Sequence, residues 1–219
     1  DDALPGFGGL LGTGRIDNLG ERMASSGLSL EPLGAWVPGG LVRIAPDGLA
    51  PRLPARSNVV MQLHARASDT GATEDGRVAI YFSKSPVNRT LIPLQLPPAF
   101  GMVSGINIPP DAPRYVLRDA FTLPADVDAI GASGYAHLLA REMKLTARLP
   151  GGGTRGLLWI DRWDVAWQET YYFAAPVRLP KGTVIHSEIT YDNSADNPRN
   201  PSTPPRRVTW GPTLMDEMG

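Results

Sequence analysis

The sequence predicts an all-β chain with a β-sandwich or jelly-roll architecture. Its 219 residues include 24 glycines and 22 prolines, a content that favours many turns and little helix. After residue 97, short runs with strand character recur between turn signals, and no long stretch has a 3.6-residue apolar period. This spacing is typical of a sandwich or a jelly roll. Pro150–Gly153 is predicted as a hairpin turn. The predicted strands are Phe100–Ile108, Arg114–Leu123, Ala129–Leu139, Met143–Leu149, Thr154–Ile160, Tyr171–Leu179 and Thr183–Tyr191.

Two domains are predicted, with a boundary near residue 97, where prolines interrupt the chain. Residues 1–96 are interpreted as a partial N-terminal β-sandwich, which begins with an irregular, Gly- and Ser-rich lead-in. Within it, apolar alternation over Asn58–Ala67 and Arg77–Phe82 predicts an antiparallel hairpin with a long loop. Residues 97–219 are interpreted as a complete second sandwich.

The bulk properties exclude several classes of function. The formal charge is −1, which argues against nucleic-acid binding, and no apolar run approaches the roughly 18 residues of a membrane span. The absence of cysteine excludes disulfides and thiolate ligands but leaves the redox compartment open. The opening residues lack the basic start and apolar core of a signal peptide, so they fit either a processed N-terminus or an internal cut.

The stretch around Tyr135-Ala136-His137, taken with Met218, is the best candidate for a metal site. Side chains two apart share one face of an extended backbone, so Tyr135 and His137 are expected side by side. Imidazole and thioether ligands together favour copper. The alternatives are that His137 is a hydrogen-bonded structural residue and that Met218 is a core or disordered methionine.

Four segments occur in a specific order, and together they resemble a known family. Their order is that of the C-terminal domain of the copper type II, ascorbate-dependent monooxygenases, relatives of the peptidylglycine and dopamine hydroxylases, with the bacterial branch nearest. That family has a His-x-His pair followed by Leu-Gly-Lys, then Trp-Gln, a Tyr-Asp-Asn-Ser…Asn-Pro loop and a closing Asp-Glu-Met. Tyr135 stands where the family has its first His. The four segments are Tyr135–Met143, Trp163–Gln168, Tyr191–Pro198 and Trp210–Met218.

The resemblance implies copper sites that have degenerated. In the family one copper activates dioxygen and the other relays electrons from ascorbate, so that a carbon is hydroxylated. Here the implied metal residues are His137, Met218, Tyr135 and His64, the last matching a Gln-x-His-Tyr segment of the second centre. That centre also needs an adjacent His pair, whereas this chain has only three histidines and none are adjacent. Copper is therefore expected at low occupancy or not at all, with ascorbate as reductant only if the chain is active.

Other candidate residues have simpler interpretations. His64 is equally well explained as structural, since Arg66 on the same predicted face would oppose a bound cation. His186 matches no ligand of the family. The Asp192–Asn197 loop offers oxygen donors for calcium, but Asx turns explain it more simply. Three tryptophans are interpreted as anchors between sheets, or as a partner-binding patch if they are exposed together. They are Trp159, Trp163 and Trp167.

These observations predict a copper monooxygenase-like protein that is impaired or non-catalytic as the chain stands, so enzymatic activity itself is left open. The alternative is a structural or interaction subunit of a larger assembly. A third class, a carbohydrate- or ligand-binding sandwich, is also compatible with the fold. A protein partner or an upstream segment would complete the first sandwich. By resemblance to the bacterial relatives, the protein is expected to be exported to the periplasm or the extracellular space.

Overall fold

A computed structural model describes residues 48–50, 53–61, 76–89, 91–98, 102, 105–211 and 213–218. The contacts divide the chain into two compact units, one with the described residues up to Pro93 and the other with those from Leu94 onward. Every strand that the described residues form lies in the second unit. That residues 1–96 form a partial sandwich stays a prediction.

The prediction of an all-β chain is confirmed, because the described residues form eight strands and no α-helix. None of these residues belongs to a helix long and apolar enough to cross a bilayer. The strands are β1 (Asn107–Ile108), β2 (Ala112–Thr122), β3 (Val127–Ser133), β4 (Ala140–Arg148), β5 (Thr154–Ile160), β6 (Thr170–Leu179), β7 (Val184–Asn193) and β8 (Val208–Thr209).

Three antiparallel sheets build the second unit. The largest has the strand order β2-β7-β4-β5, and two-stranded sheets pair β3 with β6 and β1 with β8. Strand β7 lies at the centre of the large sheet, where Ile189 is opposite Leu117 on one side and Met143 on the other. These three apolar residues therefore share one face. The neighbouring row, Arg118, Glu188 and Lys144, faces the other way and is hydrated.

The apolar face of the large sheet is covered by different elements at its two ends. At one end the β3–β6 pair closes over Ala147 and Ile185, with Leu179 buried between the sheets. At the other end β1, β8 and the connection after β3 cover Met143, Ile189 and Tyr191. Burial of these side chains is the main force that holds the layers together. The second end is also where the predicted metal residues lie.

The predicted strands agree with the observed ones to within three residues for most of the second unit. Thr154–Ile160 is reproduced residue for residue as β5. The largest error is Ala129–Leu139, because β3 ends at Ser133 and residues 134–139 leave the sheet to enter the core. Among the described residues of Phe100–Ile108, only Asn107 and Ile108 form a strand. Strand β8, of two residues, was missed because it is too short for any apolar period.

The predicted hairpin in the first unit is wrong where the structure describes it. Arg77–Phe82 and Asn58–Met61 belong to no strand, and residues 62–67 lie outside the described residues. Both alternating faces of the second run are open to solvent: Tyr81 is 90% exposed and Phe82 75% exposed. A two-stranded hairpin has little stability without a further layer to cover one face. Among the described residues, the apolar alternation of Arg77–Phe82 is therefore present without a paired strand.

The turn Pro150–Gly153 joins β4 to β5, as the sequence predicts. The Gly152 N–H donates to the carbonyl of Leu149, at 3.0 Å. Gly152 has a φ of +90°, which is unfavourable for residues with a Cβ, whereas Gly151 has an ordinary φ and equally open surroundings. Only backbone conformation distinguishes the two positions.

We expect Gly152→Ala to lower the free energy of unfolding by about 1 kcal/mol, because alanine is strained at positive φ. Gly151→Ala serves as the matched control and should be neutral or slightly stabilising. Urea denaturation followed by tryptophan fluorescence measures both. Equal effects of the two substitutions would contradict the turn geometry.

Candidate functional site

The candidate site forms where the His137 loop (residues 134–139) meets the C-terminal segment (residues 213–218). The loop begins at Gly134, where a Cβ would lie 2.5 Å from the Met143 sulfur and 2.9 Å from Ile160 Cδ1. A larger residue at this position would therefore have to displace the ends of the Met143 and Ile160 side chains, which pack between the loop and the large sheet. From here the chain runs inward, and Ala136, His137 and Leu139 are all buried.

The carboxylate of Glu217 joins the two segments. Its Oε2 accepts the N–H of His137 at 2.9 Å and that of Met218 at 3.3 Å, and its Oε1 accepts the N–H of Leu139 at 2.6 Å. The side chain is fully buried. One carboxyl group satisfies three buried backbone donors, of which those of His137 and Leu139 lie about eighty residues away in the sequence. His137 and Met218 are thus brought together through a shared oxygen atom.

Backbone pairing holds the C-terminal segment in place. The Glu217 N–H donates to the Thr209 carbonyl at 3.1 Å, and the Gly211 N–H donates to the Glu217 carbonyl at 3.2 Å. The segment turns on itself through Thr213, whose hydroxyl donates to the Asp216 carboxylate at 2.7 Å. These bonds extend the β1–β8 layer to the chain's last described residues and fix the position of Glu217.

The imidazole of His137 is held at both nitrogens. Its Nδ1 is 3.0 Å from the carbonyl oxygen of Asp216, which can only accept, so Nδ1 carries the proton in the neutral ring. Nε2 is then an acceptor, and the Tyr135 hydroxyl donates to it at 3.1 Å. The two rings meet edge to face, with centroids 5.8 Å apart. Tyr135 and His137 therefore lie side by side as predicted, although residues 134–137 belong to no strand.

Burial keeps this imidazole neutral. His137 is 3% exposed, and its burial lowers the pKa of the ring below the ordinary value, against a smaller opposing effect of its contact with Asp216. Trp163 is buried beside it and donates from its indole N–H to the His137 carbonyl at 3.0 Å. The loop is thus fixed at its backbone and at its ring.

Met218 is buried, so the alternative that the end of the chain is disordered there is wrong. Its carbonyl accepts the hydroxyl of Tyr191 at 3.2 Å, and Tyr191 is fully buried on β7. Burial raises the pKa of Tyr191 well above its ordinary value, and the nearby Glu217 carboxylate adds to the effect. The Tyr191 hydroxyl therefore stays protonated and donates this bond at all ordinary pH values.

These residues do not fit a copper site with three protein ligands. The one imidazole has Nδ1 on a carbonyl and Nε2 on a hydroxyl, and a neutral phenol is a poor ligand. Within the described part of the chain, no three His, Cys, Asp or Glu residues are grouped so that they could hold a metal ion. What the arrangement can do chemically is orient a neutral imidazole and a phenol rigidly in a nearly water-free interior.

The other predicted residues are not brought to this site. His64 lies outside the described residues, so its assignment to a second copper centre stays a prediction. His186 lies on β7, opposite Thr146 of β4 and Ala120 of β2. It is adjacent to the inward-facing Ile185, so its side chain lies on the hydrated face. Trp163 is a buried anchor, whereas Trp159 and Trp167 are exposed.

The Asp192–Asn197 loop uses its oxygen atoms internally. Asp192 accepts from the Ser194 N–H at 3.0 Å and from the Ser194 hydroxyl at 2.6 Å, which is an Asx turn. The Asn197 side chain donates to the Asp192 carbonyl at 2.6 Å. Buried Asn193 donates to the carbonyls of Pro109 and Arg206. These bonds support the interpretation of the loop as a structural turn.

Comparison with known proteins adds no relative: no family model matches the chain, and no curated protein is similar to it at a significant level. The resemblance to the copper monooxygenases therefore stays a prediction.

Glu217 is the functional residue that sequence reasoning missed. In the sequence, Glu217 is distinguished only as the middle residue of the closing Asp-Glu-Met motif. A lone acidic residue near a chain end is ordinarily exposed, and its burial here depends on N–H donors in a loop about eighty residues away. The sequence contains no local signal for that contact.

We expect Glu217→Gln to lower the free energy of unfolding at pH 5 by about 2 kcal/mol, because the amide nitrogen cannot accept a backbone N–H, whereas both oxygens of the protonated carboxyl can. Glu188→Gln is the matched control. It breaks the 2.7 Å pair with exposed Arg118 on the hydrated face and should cost less than about 1 kcal/mol. Chemical denaturation of both variants makes the comparison. A loss no larger than that of the control would contradict the role of Glu217.

The stability contribution of Glu217 should depend on pH. Burial raises the pKa of its carboxyl to about 7, and the backbone N–H donors act in the opposite direction. Because the folded pKa lies above the ordinary value of 4.5, the folded chain holds its proton more tightly between pH 4.5 and 7. The contribution is full below pH 4.5 and is lost as the pH rises through about 7, by up to about 3 kcal/mol in total.

The measurement is the difference in unfolding free energy between the wild type and Glu217→Gln, taken from pH 5 to pH 8. The difference should shrink as the pH rises. His137 has a lowered pKa and acts in the opposite direction below pH 6.5, but it is present in both proteins and cancels in the difference. A difference that grows with pH would mean that the carboxylate, and not the acid, is the favoured form.

Proposed function

We propose that this chain is a copper monooxygenase-like sandwich whose metal site has been replaced by a hydrogen-bonded core, and that it acts as a non-catalytic subunit. The supporting observation is the 3.1 Å hydrogen bond between the Tyr135 hydroxyl and His137 Nε2. In the proposed kinship, a second imidazole would stand in the place of Tyr135. The phenol instead caps the nitrogen that would otherwise bind the metal.

The surrounding contacts support the loss of a metal role. A metal-binding imidazole typically donates its other N–H to a carbonyl, and His137 makes this contact with Asp216. The orientation of the ring is therefore compatible with a former ligand. The Tyr135 hydroxyl occupies the other ring nitrogen, so that both Nδ1 and Nε2 of His137 have a hydrogen-bond partner. A site of this kind stabilises the sandwich without a cation.

A role in assembly is supported by the apolar surface of the first unit. Val60, Val78, Tyr81, Phe82 and Ile92 are each at least half exposed. Exposed apolar residues in such number are unusual for a soluble monomer and commonly mark an interface. In the proposal, a protein partner or an upstream segment covers them. An interface of this kind would be expected to bury about 1,000 Å² or more.

The proposal is tested by loading the protein with Cu(I) in a solution that contains a competing chelator, followed by elemental analysis. The wild type should retain no stoichiometric copper. Tyr135→His restores the imidazole pair and should retain about one equivalent, because a second imidazole is a strong copper ligand where the neutral phenol is not.

Tyr135→Phe is the matched control, because it frees His137 Nε2 without adding a ligand and should bind no more copper than the wild type. Stoichiometric copper in the wild type, with ascorbate-dependent oxygen consumption, would refute the loss of the site. If Tyr135→His folds but binds no copper, the kinship itself is contradicted.

A further inference from the structure

A second feature of the same unit is a surface cleft lined by arginines, which shares only Trp163 with the candidate site. Its volume is about 330 Å³. It is formed by the start of β4, the residues after β5 and the loop that follows β7. The lining residues are Arg141, Asp161, Arg162, Trp163 and Arg199.

Two of the arginines are anchored to the backbone of Trp163. The Trp163 N–H donates to the carbonyl of Arg141 at 2.8 Å, which fixes the two residues together. On the other side, Arg199 donates from Nη1 to the Trp163 carbonyl. Because Trp163 is itself buried, this support is rigid. The backbone that supports the cleft is therefore fixed on both sides of Trp163.

The guanidinium groups retain unused hydrogen-bond donors. Arg141 Nη2 is 3.4 Å from the Asp192 carboxylate, and Arg199 Nη2 is 3.8 Å from the Asp164 carboxylate, both long for charge-assisted bonds. Each guanidinium has five N–H donors, of which these contacts use one or two. Among the described residues, Arg162 makes no hydrogen bond or ion pair. Three cationic groups with spare donors therefore line one cleft.

We propose that this cleft binds a phosphate group carried by a small molecule. The forked geometry of guanidinium matches phosphate oxygens, and several arginines around one ligand are a recurrent phosphate site. The volume exceeds that of a bare ion and lies in the range of ligand pockets, so room remains for an organic substituent.

Asp161 gives the cleft its selectivity. Asp161 lines the same space and makes no hydrogen bond or ion pair with another described residue. Its carboxylate can therefore accept a hydrogen bond from the ligand but repels an anion that has no proton to donate. Monohydrogen phosphate and its protonated monoesters carry a P–OH donor, whereas sulfate at neutral pH carries none. The cleft should therefore distinguish phosphate from sulfate. This inference is independent of the copper proposal, because it uses no residue of the His137–Tyr135 pair.

The test titrates the full chain with inorganic phosphate, glycerol 1-phosphate and sulfate at pH 5.5, where most of the monoester carries a P–OH proton. Calorimetry gives the affinities, and NMR shifts of the Arg162 and Trp163 amides locate the site. Phosphate or its monoester should bind at these amides. Arg162→Gln should weaken binding about tenfold or more, the loss expected for one charge-assisted hydrogen bond. Asp161→Asn should raise the affinity for sulfate, because the amide can donate.

Arg148→Gln is the matched control. Arg148 is an exposed arginine at the other end of β4, and its removal changes the net charge equally without touching the cleft. Tighter binding of the monoester than of free phosphate identifies an organic phosphate as the ligand, and equal binding identifies the free ion; both support the site. Three results would overturn it: no shift at the cleft amides, an equal loss in Arg148→Gln, or sulfate binding as tightly as phosphate to the wild type.

Discussion

The carboxylate of Glu217, buried against three backbone N–H groups, is the constraint on which the candidate site depends. It fixes the inward course of the His137 loop, which leaves the sheet and would otherwise bury unpaired donors. The loop in turn positions the imidazole of His137 between a carbonyl and a phenol. A charged or acidic group in such an interior is costly unless it is fully hydrogen-bonded. The geometry around Glu217 provides those bonds, and both segments are held in register by them.

The two faces of the large sheet differ in polarity and in role. One face is apolar and closes the core, while the other has a row of alternating charges in which Lys144 lies opposite Glu188 and over the ring of Trp159. Trp159 also donates to Glu142 at 2.8 Å, and Glu142 pairs with Lys144 at 2.7 Å. This explains how a large aromatic residue is accommodated on an exposed strand. Both the candidate site and the arginine cleft lie at the margins of the sheet, where loops and strand ends supply the side chains.

The sequence predicted the fold class and most strand positions because apolar alternation and turn residues act locally. Strand β5 and the Pro150–Gly153 turn depend only on neighbours in sequence, and both were predicted correctly. The connection after Ser133 was predicted as strand because its apolar residues alternate, but they face a core built by distant elements. The adjacency of Tyr135 and His137 followed from their spacing. The burial of Glu217 and the grouping of three arginines at one cleft depend on contacts between segments that are distant in the sequence, and no single segment carries a pattern for them.

The hydrogen bonds between Glu217 and the His137 loop also affect how the chain folds while it is being synthesised. Until residue 217 leaves the ribosome, the N–H groups of His137 and Leu139 have no partner in the chain, although the strands on either side of the loop have already been made. Pairing β4 with β7 and β5 can begin earlier, since those contacts need only residues up to 193. The nascent chain is therefore expected to hold a partly formed sheet with one open end, and this exposed end is where chaperones or premature association would act.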